Sequence, residues 1–169
     1  MAHDLLVRPA TEPDVLDIFE ITHMAFTRYA RDMGHPELVS ALKELPDDIR
    51  REMEHKHVLI ASLDGVPVGS VRYWDAGNGM GYLSRFGVKP ECQRGGVGKA
   101  LVAAVEEGCR SMGLRAIALH TSSRMTNLVR FYYSAGYFIH STTLDRGYIR
   151  ALFIRELKGV GDYDATIFE

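Results

Sequence analysis

Gln93-Arg94-Gly95-Gly96-Val97-Gly98-Lys99 separates a β-rich run, closed by Lys89-Pro90, from a stretch whose apolar residues recur at helical spacing. The first amides of a helix have no earlier carbonyl to pair with, and the helix dipole makes that end favourable to an anion. Gly95, Gly96 and Gly98 present no side chain against an approaching pyrophosphate, while Arg94 and Lys99 offer charge-assisted contacts. The segment reads as a phosphate cradle. The competing reading is a surface turn in which glycine serves only sharpness.

Two commoner nucleotide loops fail on spacing. A P-loop requires glycine at position 93 and serine or threonine at 100, where Gln93 and Ala100 stand. A dinucleotide fingerprint starting at Gly96 requires glycine or alanine at 101, where the chain has Leu101.

Outward from the loop, Val97, Leu101, Ala104, Val105, Gly108 and Met112 form one helical face that Gly113 closes. Upstream, Tyr82 to Val88 is a strand preceded by a glycine-rich loop, Asp75 to Gly81, and His57 to Leu63 and Pro67 to Trp74 form a hairpin about Asp64-Gly65. Further back lies a more polar helical stretch, Glu37 to Glu54, which Pro46 is expected to divide into two short pieces near the surface. Before it, the stripe Val15, Ile18, Phe19, Thr22, Phe26 predicts a helix ending before Gly34. Leu5 to Arg8 is a first strand. Downstream, Arg115 to Thr121 is a strand and Leu128, Phe131, Tyr132 and Ala135 mark a helix face. Tyr137 to Leu144 and Ile149 to Leu157 make a closing strand pair. The order β-α-α-β-β-β-α-β-α-β-β predicts an α/β chain: a mixed, mostly antiparallel sheet of six to seven strands with about four helices. Residues 1–158 are expected to form a single domain, with 159–169 a loose tail.

At 169 residues with a formal net charge of -2 and no block of like charge, the chain is not expected to have nucleic acid as its main partner. No apolar run approaches the roughly 20 residues that cross a bilayer, and Met1 to Ala10 lacks the apolar core of an export signal. Cys92 and Cys109 stand at neither metal nor redox spacing, so a cytoplasmic setting is expected. His55 and His57 are spaced like an exposed strand pair and lack further ligands, so no metal site is expected.

These motifs together resemble the GNAT superfamily of N-acetyltransferases. Gln93, Gly96 and Gly98 match its cofactor loop, and Phe86-Gly87-Val88-Lys89-Pro90-Glu91 looks like its strand-to-loop lead-in. Tyr132-Tyr133-Ser134-Ala135-Gly136-Tyr137 looks like its closing motif, and Val7-Arg8-Pro9-Ala10-Thr11 with Asp14 is similar to its opening; the resemblance spans about the first 157 residues. It implies an acetyl-CoA-dependent transferase. The acyl-CoA would lie in a V-shaped opening between the strands ending at Val88 and near Thr121. Its pyrophosphate would rest on the amides from Arg94 to Lys99, through Gly95, Gly96, Val97 and Gly98, and its pantetheine arm would pair with Phe86, Gly87 and Val88. Asn127 resembles a family asparagine that contacts the cofactor, although it stands nearer the tyrosine than usual; the alternative is a helix cap. Relatives often form homodimers.

An alkylammonium must lose a proton before it attacks a thioester, and the departing thiolate must gain one. Tyr132 matches the family tyrosine and is the candidate acid; the plainer reading makes it a core aromatic on the Leu128 and Phe131 stripe, with Tyr133 a second choice. Many relatives place the base, a carboxylate, on the third strand, and Tyr82-Leu83-Ser84-Arg85-Phe86 has none. His120 is the remaining candidate base, against a structural role. A backbone amide near Val88 would hold the oxyanion, as the resemblance implies. Arg85 could read a substrate carboxylate or phosphate, or simply pair with a neighbouring acid. The expected acceptor is a small-molecule or peptide amine, with Phe26 to Met53 as its wall. Two alternatives stay open: a non-catalytic acyl-CoA-binding module, and acetylation of protein N-termini or lysines.

Overall fold

The computed structural model describes residues 3–168; Met1, Ala2 and Glu169, the outermost residues of the expected domain and tail, lie outside the described residues. Strand β1 (Leu5–Pro9) leads through a single 3-10 turn into helix α1 (Val15–Met33), which stops where Gly34 takes a left-handed φ of 85° and its amide returns to the Ala30 carbonyl. Pro46 does not interrupt a helix. It opens α2 (Pro46–His55), where a missing N–H costs nothing, and residues 36–43 form two short 3-10 turns instead.

Strands β2 (His57–Leu63) and β3 (Val66–Gly77) turn on Asp64 and Gly65, both at positive φ. The expected loop from Asp75 to Gly81 is mostly strand: β3 runs to Gly77, β4 (Met80–Val88) begins at Met80, and only Asn78 and Gly79 turn, both at positive φ. Then follow α3 (Val97–Ser111), β5 (Ala116–Ser122), α4 (Thr126–Ser134), β6 (Phe138–Thr143) and β7 (Arg150–Glu156). Among the described residues, seven strands in the order β1-β2-β3-β4-β5-β7-β6, mostly antiparallel, with four α-helices, give the expected fold class.

The chain divides into two compact units, and β3 and β4 contribute to both. The first comprises residues 1–73 and 85–105. There β1 pairs antiparallel with β2, and β2 with β3. Val15 and Ile18 of α1 meet Ile49 of α2 and Val58 and Ile60 of β2 in one buried cluster. Two glycines set how closely helices approach the strands. A Cβ on Gly69 would lie 2.9 Å from Val97 and Leu101 of α3, and one on Gly87 would lie 2.9 Å from the Cβ of Ala25 in α1.

The second unit comprises residues 74–84 and 106–169. Met80 to Tyr82 of β4 pair in parallel with Ala116 to Ala118, and β7 pairs antiparallel with both β5 and β6. Met80, Ala116, Ala118, Leu152 and Ile154 form its buried centre. Of the tail expected to be loose, residues 161–168 are docked. Tyr163, Ala165, Ile167 and Phe168 pack against that centre, Tyr163 donates to Glu156 at 2.8 Å, and Arg115 donates to the Asp162 carbonyl at 3.1 Å. Its apolar residues are too few to show a helical or strand period, so nothing in their spacing foretells the docking.

Candidate active site

In the first unit, β4 ends at Val88, and the Lys89 amide bonds to the Val68 carbonyl of β3 at 2.8 Å. A 3-10 turn, Pro90–Cys92, then redirects the chain. The Gln93 side chain donates to the Val88 carbonyl at 3.4 Å, tying the loop to the strand end. Gly96 adopts φ +79°, and a Cβ built there would meet nothing within 4 Å. The Ala100 amide reaches back to the Gly96 carbonyl at 3.1 Å, so the amides of Val97, Gly98 and Lys99 precede the helical ladder. Arg94 and Lys99 are exposed, with no acidic partner among the described residues.

Open space at Gly96, unladdered amides and two unpaired cations fit a pyrophosphate. Phe86, Gly87 and Val88 lie in the same unit, with Gly87 and Val88 buried and α1 packed on Gly87. All eleven cofactor candidates except Asn127 are therefore in this one unit. Gly69, which no sequence motif marks, lets α3 settle on β3 and so positions the loop.

The same unit holds a charge cluster that sequence reasoning saw only in part. Arg72, 1% exposed, forks onto Glu44 with both bonds at 2.6 Å. Arg85, one residue before Phe86, brings its Nε to 3.5 Å from the same carboxylate. The pairing of Arg85 with a neighbouring acid is thus present, and Glu44 is that acid. Arg85 also takes φ 50°, a left-handed conformation that costs a non-glycine residue on the order of 1 kcal/mol.

The second unit carries His120, Asn127 and Tyr132. His120 on β5 shares a 2.6 Å hydrogen bond between its Nδ1 and the hydroxyl of Tyr82 on β4, and Trp74 and Phe168 pack against the Tyr82 ring. Burial, with Arg150 next in weight, pushes His120 down to about 4, so it is neutral at pH 7. Tyr82 was not foreseen as its partner; no spacing rule links residues 38 apart. Tyr132, 3% exposed, sits edge-on to Phe131 and Tyr137 and tilted against Phe153. Tyr133 is half-exposed. Asn127 is exposed in the first turn of α4 and does not cap it: the capping position is Met125, without a side-chain bond. His55 and His57 are not a strand pair, since His55 ends α2 and His57 opens β2, where it stacks on Tyr73. Among the described residues no group of three or more His, Cys, Asp or Glu is placed to hold a metal, and no helix is long and apolar enough to cross a membrane.

Residues 17–137 match the model of the acetyltransferase (GNAT) family. No curated protein matches the sequence. Among solved structures, PaiA N-acetyltransferase from Thermoplasma acidophilum in complex with coenzyme A superposes with a TM-score of 0.80 at 15% identity, covering 91% of this chain and 99% of that one. The ribosomal-protein-S18-alanine N-acetyltransferase of Escherichia coli gives 0.74 at 14% identity, over 94% and 97% of the two chains. YncA from Salmonella typhimurium, solved with acetyl-CoA, gives 0.70 at 18% identity, over 95% and 98%. At these identities the likeness is one of fold.

Proposed function

The chain belongs to the acetyltransferase (GNAT) family, and on that footing we propose that it transfers an acetyl group from acetyl-CoA to a primary amine by direct attack. The observation that carries the cofactor reading is Gly96: left-handed, facing open space, at the head of α3 and flanked by the unpaired cations Arg94 and Lys99. Bound there, acetyl-CoA would supply the activated acetyl thioester.

The chain's own groups supply the rest. The amides of Val97 to Lys99, with Arg94 and Lys99, would hold the phosphates, and the backbone from Phe86 to Val88 would orient the thioester arm. An amide near Val88 would stabilise negative charge on the acyl oxygen. Tyr132 Oη would hold the proton that returns to sulfur, and Asn127 would contact the cofactor. His120 is the base for the amine. Its neutral imidazole has a lone pair to offer, although a group held at about 4 is a weak acceptor and works best through water on an amine that arrives uncharged.

The weakness of that base is the one observation favouring the alternative, an acyl-CoA-binding module without turnover. Titration calorimetry with acetyl-CoA, CoA and ATP, followed by a thiol-release screen over amines, separates the readings. Micromolar binding of both CoA forms without ATP binding, together with turnover of any amine, supports the transferase. Binding without turnover supports the module, and no CoA binding overturns both.

A further inference from the structure

Arg85 is ion-paired with Glu44, but among the described residues no hydrogen bond uses its donors. Arg72 holds Glu44 in a fork, its two Nη atoms each donating to one carboxylate oxygen at 2.6 Å. Arg85 adds only its Nε at 3.5 Å, without hydrogen-bond geometry; that Nε is buried and has no hydrogen-bond partner, and its terminal nitrogens have none among the described residues. The side chain is 28% exposed, so it is reachable, whereas Arg72 is sealed at 1%. Two guanidinium groups against one carboxylate leave a surplus of one positive charge in a largely desolvated place.

The position has a direction as well as a charge. Arg85 and Gly87 are two apart on β4, and each meets the covering layer: Gly87 lies under Ala25 of α1, and Arg85 beside Glu44 from the connection between α1 and α2. The left-handed backbone at Arg85 is the only departure of β4 from negative φ at a residue with a side chain, a local strain of the kind that accumulates where a side chain is aimed for function. Arg85 stands three residues before Val88 on β4, at most about 10 Å along a strand, within the span of a small amine with an acidic group at its far end.

We propose that Arg85 reads a carboxylate on the acceptor, so that the substrates are amines bearing one, such as amino acids or short peptides with a free C-terminus. A carboxylate matches the single surplus charge and the planar fork; a phosphate monoester, near two negative charges, would leave one unbalanced. The inference rests on the acetyl-transfer reading above. On this reading Glu44 neutralises sealed Arg72 and leaves Arg85 for the ligand.

The test pairs free amino acids and dipeptides with their C-terminal amides as acceptors, using the full chain and acetyl-CoA. An advantage of about tenfold or more in kcat/KM for the acid over its amide, carried in KM and abolished in Arg85→Gln, supports the proposal. Arg85→Lys should restore part of it, since it keeps the charge but not the fork. Amides used as well as acids, or an Arg85→Gln variant with an unchanged preference, would overturn it while acetyl transfer stood. A better response to phosphate-bearing amines than to carboxylates would overturn it as well. If CoA binds and no amine is turned over, acetyl transfer fails separately. Thermal protection by the same acids in the presence of CoA then reads the anion site alone: protection of wild type but not of Arg85→Gln supports it, and protection of both or neither overturns it. The melting temperature of each variant without ligand shows that it is folded.

Discussion

His120 Nδ1 and Tyr82 Oη lie 2.6 Å apart across the parallel pairing of β5 and β4, two residues beyond the last paired position, Tyr82 against Ala118. Burial is the main reason His120 resists protonation; Arg150 and Arg146 add to it and Asp145 opposes it. In the unfolded chain a histidine takes its proton near 6.5, whereas here it does so at about 4. Between those values the unfolded state binds the extra proton, so this residue's contribution to stability is complete above about pH 6.5 and is lost as pH falls toward 4. In NMR titration the His120 imidazole signals should stay still from pH 8 down to about 5. A midpoint near 6.5 would show the ring to be solvated and the pair with Tyr82 broken. Tyr82→Phe, which leaves Nδ1 buried with one partner fewer, should cost about 1–2 kcal/mol by urea unfolding.

Asp14 behaves in the same sense for a different reason. Arg8 forks onto it at 2.7 and 2.9 Å, and the Thr11 amide and hydroxyl add bonds at 2.8 and 3.1 Å, which together hold the carboxyl at about 2. This stability is present above the ordinary carboxylate value near 3.9 and lost as pH falls through about 2. Asp14→Ala should lose about 2 kcal/mol at neutral pH, a figure reduced for the exposure of Arg8. It should also flatten the decline of stability between roughly pH 4 and 2. Urea midpoints measured across that range check both parts.

The sequence-level signals that succeeded were local ones. Period, turn chemistry and caps mark the order of strands and helices, because Gly34, Gly65 and Gly113 need left-handed backbone and the apolar stripes need a core, although Pro46 opens α2 rather than interrupting a helix and most of residues 75–81 are strand. The other failures came where a residue's partner is distant. Arg72 reads as an ordinary strand cation until Glu44, 28 positions away, is seen to neutralise it, and Tyr82 reads as a strand aromatic until His120 stands beside it. Gly69 and Gly87 gave no sign of which helix they admit, since the neighbour a missing Cβ makes room for is fixed only by tertiary packing. The cofactor loop was legible because a strand, a glycine turn and a helix start are contiguous in the chain.

At Gly96 backbone strain and ligand repulsion can be separated. The φ of +79° penalises any side chain, so Gly96→Ala should lose on the order of 1 kcal/mol of stability, although its Cβ meets nothing within 4 Å. Gly96→Glu adds an anion in the same place with similar strain. The two variants should melt at similar temperatures, but Gly96→Glu should bind CoA at least about tenfold more weakly than Gly96→Ala, an excess that shrinks at high salt. Equal CoA affinities would remove the pyrophosphate from this turn.

Tyr132 presents the hardest choice between packing and chemistry, because its ring is buried among Phe131, Tyr137 and Phe153 and would be retained for that alone. Tyr132→Phe keeps the ring and removes only Oη, so stability should change by no more than about 1 kcal/mol and CoA affinity should hold. If Oη supplies the proton to sulfur, the rate of acetyl transfer should fall on the order of 100-fold or more, and acyl donors with a more acidic thiol should be affected less because their sulfur leaves without help. A rate loss equal for all thiols would mean that the substitution misplaces the donor rather than withholding a proton. An unchanged rate would leave Tyr132 a packing residue and turn attention to Tyr133, half-exposed, whose hydroxyl accepts the Ile139 amide at 3.4 Å. Measuring the leaving-group dependence in both Tyr132→Phe and Tyr133→Phe therefore assigns the proton to one hydroxyl or to neither.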